Sequence, residues 1–282
     1  MFSCLILCLN LSINSITEVY GKDPIGISLV KWSFRTQTAI LCDMAKENGA
    51  VAIDMVDPEK WDIVKEKGLT VAMADGIDMG IERGFCDRRW HSSLIENYKR
   101  FIPLLAEKGI KQVVCYSGIN TDLSDEEALE ACVEGLKPLL DIAEKANVTL
   151  VMELLSSRNT EEIFTKQRFS YYQCDNPEWG VALCKKLNSP NFKLLYDVWH
   201  MNDMGRDIMS DIKKYHSYIS HYHIAGIPER KGLNRTDSFN YQQFMKLLKK
   251  VGYQGYVGLE PDRIEKNLKS TIQESITLLK NK

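Results

Sequence analysis

Eight short apolar runs recur along the chain, near 25–30, 51–56, 69–73, 112–116, 149–153, 193–197, 219–224 and 256–260. Most are continuous rather than alternating, the pattern of parallel strands buried on both faces. Helical periodicity follows each run and is clearest over 92–108, 124–146, 207–217, 239–251 and 264–280. Ser124 precedes Asp125, Glu126 and Glu127, which predicts an N-cap with a capping-box acid and further acids at the positive end of the helix. Several helical segments close on Gly or Asn just before the next strand, at Asn48-Gly49, Lys108-Gly109, Asn147 and Val251-Gly252. Eight strand–helix alternations in 282 residues predict a single-domain α/β fold, a closed (β/α)8 barrel, which needs about 250 residues. The third loop, 74–90, is long and rich in Asp, Gly and Arg, as loops that cover active sites often are.

Four of these runs lead into a side chain able to bind a metal. Glu153 follows Thr149–Met152, Asp197 follows Lys193–Tyr196, His223 follows Ile219–Tyr222, and Glu260 follows Tyr256–Leu259. A parallel barrel gathers the C-terminal ends of its strands on one face, so the four are expected to converge on one divalent cation. Taken singly, each has a plainer reading: an acid at a strand end caps a helix or pairs on the surface, and a strand histidine is a hydrogen-bonded core residue. Repetition at successive strand ends favours the metal. Two Glu, one Asp and one His form an oxygen-rich set that suits Mg²⁺, Mn²⁺ or Co²⁺, with zinc compatible. His221 and His223 share a strand face, so one is expected as a ligand and the other as a deeper support. His200 lies one turn past Asp197, placed to meet a substrate. Arg230 is a candidate to clamp a substrate carboxylate, against a surface charge beside Lys231 and Arg235. His91 opens the helix after the long loop and either reaches the site or caps that helix. Trp32 and Trp90 are candidate cleft walls, against plain core packing.

Composition narrows the partners. Thirty-six Lys and Arg against 38 Asp and Glu leave a net charge of -2, which gives no electrostatic footprint for nucleic acid or a membrane surface. A small-molecule carbonyl substrate is expected instead, and a homo-oligomer is compatible. Phe2 to Leu11 is mostly apolar and lacks acids and bases, and Val19-Tyr20-Gly21 offers a small-residue cleavage pattern. Residues 1–21 therefore read as a secretory signal ahead of a domain over 22–282. Export follows if so, and a cytoplasmic location otherwise; a strand or helix packed under the barrel is the plainer reading. The run is too short to span a bilayer, which takes about 20 residues. Of the eight cysteines, Cys4 and Cys8 lie in that segment, and no C-x-x-C pair occurs. Cys42, Cys115, Cys132 and Cys184 are expected as buried thiols, with Cys86 and Cys174 the loop pair to check for a disulfide.

The stretches Val148–Leu155, Leu194–Met201, His221–Arg230 and Gly255–Glu260, joined by Ala52–Pro58, Cys115–Gly118, Cys132–Leu136 and Tyr172–Asp175, resemble the hydroxypyruvate isomerase family. That family belongs to the xylose-isomerase-like TIM barrels. The resemblance implies a cation held by Glu153, Asp197, His223 and Glu260, with Glu153 and Glu260 as the acid/base pair. It implies an isomerase that passes through an enediolate, taking hydroxypyruvate to tartronate semialdehyde, with His200 and Arg230 on the substrate. Three departures lie at the barrel mouth. His223 stands where some isomerases have Gln and ketose 3-epimerases have His. The usual Pro-Gly-Arg-His-Glu is Pro228-Glu229-Arg230-Lys231-Gly232, and Ser156 replaces a frequent Asn. A ketose 3-epimerase is therefore the first alternative. A keto-sugar dehydratase or lyase, or a sugar-binding barrel without turnover, comes next. Apurinic endonucleases share the barrel but use a His-rich zinc cluster and a basic surface, which five histidines and a net charge of -2 do not match.

Overall fold

The computed structural model describes residues 23–76, 79–120, 122–158 and 171–280. The segment read as a signal, 1–21, and with it Cys4 and Cys8, lies outside the described residues. Eight strands form the barrel: β1 (Ile25–Val30), β2 (Ala52–Val56), β3 (Thr70–Ala74), β4 (Gln112–Cys115), β6 (Thr149–Leu154), β8 (Phe192–Asp197), β9 (Ile219–Ile224) and β10 (Gly255–Leu259). They pair in the closed parallel order β1-β10-β9-β8-β6-β4-β3-β2. The expected barrel is the observed one. The continuous apolar runs are strands because helices cover their outer faces while side chains fill the interior.

The outer layer contains α1 (Thr38–Asn48), α2 (Trp61–Glu66), α3 (His91–Glu107), α4 (Asp125–Ala146), α5 (Pro177–Leu187), α6 (Val198–Asp203), α7 (Ile208–Tyr215), α8 (Tyr241–Lys250) and α9 (Leu268–Lys280). The capping box at α4 is present. Ser124 Oγ accepts from the Glu127 amide at 3.3 Å, and the Ser124 amide donates to the Glu127 carboxylate at 2.9 Å. Ser124→Ala is expected to cost about 1 kcal/mol of stability, read by urea denaturation; an unchanged midpoint would deny the cap a role. Gly49 and Asn147 end their helices in the left-handed conformation, as expected.

Two features differ from the sequence reading. The last helix begins at Leu268, not near 264, because Ile264 is held as extended chain. Its amide donates to Ser33 O at 2.7 Å, and its carbonyl accepts from the Arg35 amide at 3.0 Å. A small antiparallel pair, β5 (Ile119–Asn120) with β7 (Tyr171–Tyr172), was not anticipated; two residues per strand leave no periodicity to read. Among the described residues all six cysteines are free and buried. Cys86 and Cys174 therefore form no disulfide, and burial pushes the Cys86 thiol up to about 12. No described helix is long and apolar enough to cross a membrane.

The barrel interior has two kinds of filling. Val30, Met55, Met73, Val114, Val151 and Leu195 form an apolar cluster. Ser28, Asp54, His221 and His223, by contrast, are polar and wholly buried. Met55 has a φ of 54°, and the β2–β3 register shifts on both sides of Asp54. Such an irregularity re-aims side chains, and here Asp54 and Met55 both serve the interior.

Candidate active site

The four strand-end residues converge. One oxygen or nitrogen from each of Glu153, Asp197, His223 and Glu260 lies within 4.8 Å of the others. None of the four is more than 4% exposed, so the three carboxylates lose most of the solvation they would have in water. The two oxygens of Asp197 face different ways. Its Oδ1 caps α6, accepting from the amides of Trp199 at 2.7 Å and His200 at 3.1 Å. Its Oδ2 faces the site, 3.4 Å from Arg230 and 3.7 Å from His200 Nε2.

Arg230 brings a permanent positive charge to the cluster. It donates to Glu260 Oε2 at 2.9 Å, and its guanidinium stands 4.9 Å from the Trp199 ring centre and 5.6 Å from that of Trp32. Its backbone is left-handed, with φ 52°, and is tied to Gly226 O and to the Asp262 amide. Trp32 Nε1 donates to Glu260 Oε1 at 3.2 Å.

The carboxylates differ in proton affinity. Burial, and then the Glu260 charge, raise Glu153 well above the usual range. Burial also raises Asp197. Burial would raise Glu260 too, but His223 and Arg230 outweigh it and hold the group at about 2. Burial opposes a charge on His223, yet Glu260 and Asp54 overcome it and raise its proton affinity well above the ordinary value. The cluster thus draws positive charge to the space between these groups. Among the described residues neither ring nitrogen of His223 finds a hydrogen bond, although Nδ1 lies 3.2 Å from Glu260 Oε1. A buried, orphaned imidazole nitrogen beside three carboxylate donors fits a divalent cation.

A cavity of about 440 Å³ opens above this cluster, and Glu153, Glu260, His200, Arg230, Ser156, Trp32, Trp199, Tyr116 and Met55 help line it. His200 Nδ1 accepts from the Ser156 amide at 3.2 Å. The ring proton therefore sits on Nε2, which can donate into the cavity. Burial pushes His200 down to about 4, so the ring is neutral at neutral pH. That depressed value contributes stability present above the ordinary 6.5 and lost as pH falls toward 4. In metal-free protein, the stability advantage of wild type over His200→Asn is expected to shrink by up to ~3 kcal/mol across that window. A pH-independent difference in chemical denaturation would exclude this account.

His91 is not brought to the site. It opens α3 with Nε2 2.9 Å from Phe85 O, packed where a side chain on Gly135 would otherwise go, and it is not among the cavity's lining residues. Its place is structural because the loop before α3 folds Phe85 back over it. Trp90 likewise does not line the cavity; Arg83 lies over its ring. Sequence reasoning gave no role to Trp199, Tyr116, Met55 or Asp54. Asp54 left a usable signal, an acid inside the apolar run Val51–Val56. A buried strand keeps such a charge only when partners wait inside the barrel.

Residues 42–282 match the family described as xylose isomerase-like TIM barrel. That stretch covers most of the chain and all four converging side chains. The chain belongs to this family. Among curated proteins, "Putative hydroxypyruvate isomerase" from Xenopus laevis is 31% identical over 143 residues, 51% of this chain and 49% of the relative. "Probable ketose 3-epimerase" from Synechocystis sp. is 30% identical over 99 residues, 35% of this chain and 33% of the relative. The chain thus spans about half or less of the length of these curated relatives. The crystal structure of apo 3-keto-D-glucoside 4-epimerase from E. coli superposes with a TM-score of 0.74. The alignment covers 93% of this chain and 100% of that one at 18% identity, a likeness of fold alone.

Proposed function

We propose that this family member is a divalent-cation-dependent isomerase that moves a proton beside the carbonyl of a small hydroxy-carbonyl substrate, with hydroxypyruvate as the first substrate to test. The observation that carries the reading is the convergence of Glu153, Asp197, His223 and Glu260 beneath a cavity that Glu153 and Glu260 both line. These four would hold the cation. When bound, it would favour ionised carboxylates and withdraw charge from the substrate's carbonyl and neighbouring hydroxyl oxygens.

The chain's own residues supply the remainder. Glu153 has the higher proton affinity of the two glutamates, so it is the group to take the proton from the substrate carbon. Glu260, kept ionised by His223 and Arg230, is the partner on the return path. His200 donates from Nε2 to the reacting oxygen, and burial keeps that imidazole neutral. Trp32 and Trp199 wall the cavity and hold Arg230 between them. For hydroxypyruvate, a proton leaves the CH₂OH carbon and one returns to the former carbonyl carbon. The hydroxyl proton crosses to the other oxygen, which gives tartronate semialdehyde.

A second reading, ketose 3-epimerase, is favoured by one observation: Arg230 is already committed to Glu260 and Asp197, which leaves less of its charge for a substrate carboxylate. The test is proton NMR in D₂O with Mg²⁺, Mn²⁺ or Co²⁺. Cation-dependent deuterium uptake by hydroxypyruvate with formation of tartronate semialdehyde supports the isomerase. Uptake confined to carbon 3 of a ketose moves the assignment to the epimerase, and no uptake on either panel refutes enediolate chemistry on those substrates.

A further inference from the structure

Beneath the proposed cation site, and sharing His223 with it, lies a second polar cluster whose other members, Ser28, Asp54 and His221, the chemistry above does not use. Asp54 Oδ2 accepts from Ser28 Oγ at 2.6 Å and lies 2.9 Å from His221 Nε2 and 3.6 Å from His223 Nε2. All four side chains are fully buried. The two imidazoles meet at 87° with centres 5.1 Å apart. Gly258 makes room for them, since a Cβ there would come within 2.5 Å of Asp54 Oδ2 and 2.8 Å of His223 Cδ2. The backbone is strained beside Asp54, with Met55 at φ 54° and register shifts on both sides. Strain of this kind persists only where the surroundings over-determine it.

We propose that Asp54 is a positioning residue for His223. It draws the ring proton to Nε2, so that Nδ1 presents its lone pair on the side where Glu260 Oε1 lies 3.2 Å away. With a cation bound, the opposite tautomer would point an N–H at it and set the Nε2 lone pair against Asp54. Ser28 and His221 fix Asp54 in turn by donating to its Oδ2. Asp54, His221 and His223 also lie close enough together to hold a cation of their own. The geometry points away from that use. Oδ2 already accepts the Ser28 hydrogen bond, and a second ion sharing His223 would need both of its ring nitrogens stripped of protons. The assignment rests on the cation-binding reading given above.

The test is calorimetric titration of the full chain with Mn²⁺, paired with thermal unfolding of the metal-free protein. Wild type is expected to bind one Mn²⁺ per chain, and Asp54→Asn to bind it 10–100-fold more weakly, roughly the range for groups that orient a metal ligand. Ser28→Ala is expected to weaken binding in the same direction by less, and it carries the test if Asp54→Asn does not fold. A role in stability alone would lower the unfolding temperature and leave Mn²⁺ affinity untouched; that result in either folded variant overturns the proposal. Two Mn²⁺ per wild-type chain overturns it as well. Failure of wild type to bind any divalent cation refutes the underlying site reading instead, so the two failures are distinct.

Discussion

Glu153→Gln is expected to lower cation-dependent proton exchange by about a thousandfold, the middle of the range for loss of a positioned base, without unfolding the barrel. Gln matches the protonated carboxyl in shape, and burial already favours that form of Glu153. The stability effect has a definite sign. A carboxyl whose folded proton affinity is raised contributes stability below its ordinary value of 4.5 that is lost as pH rises. Metal-free Glu153→Gln is therefore expected to match wild type in acid and to exceed it at neutral pH. Urea denaturation at two pH values reads the second effect, and deuterium uptake reads the first. Exchange within tenfold of wild type in a folded variant would exclude Glu153 as the base.

Arg230→Ala should have the largest effect on stability. The guanidinium contacts two of the three buried carboxylates, Glu260 and Asp197. Removing one partner from a buried ion pair costs about 3–5 kcal/mol because the remaining charge is left uncompensated. The loss should shrink as pH falls, since Glu153 and Asp197 take up protons readily. It should also shrink when a divalent cation is added. Arg230→Lys is expected to recover only part of the loss: one nitrogen, Nη2, makes both carboxylate contacts, but an ammonium lacks the flat face that meets the Trp32 and Trp199 rings. Equal stability of Arg230→Ala and wild type in metal-free buffer at neutral pH would contradict this charge balance.

The barrel was legible because most of its strands are near-continuous apolar runs, a pattern that local sequence states outright. Convergence of Glu153, Asp197, His223 and Glu260 was legible for a related reason: each directly follows its run, and barrel geometry dictates where such positions meet. What local sequence could not state is pairing between distant side chains. Nothing near Asp54 announces Ser28 or His221, and nothing near Arg230 announces Trp32 or Trp199. His91 was misread because its distance along the chain from the long loop says nothing about where Phe85 folds. The start of α9 was misplaced because Ile264 obeys a tertiary contact with the segment after β1 rather than its own helical pattern.

Ring closure has a consequence for how the protein comes to exist. Ile25 pairs with Gly255 across nearly the whole sequence, and Trp32, just after that first strand, donates to Glu260, just after the last. Contacts of such long range form late and slowly. A nascent or partly refolded chain can hold most of its helices while the cavity still has no second glutamate. Recovery of function during refolding would then lag behind recovery of helical circular dichroism, and the delay would time the zipping of the final strand against the first.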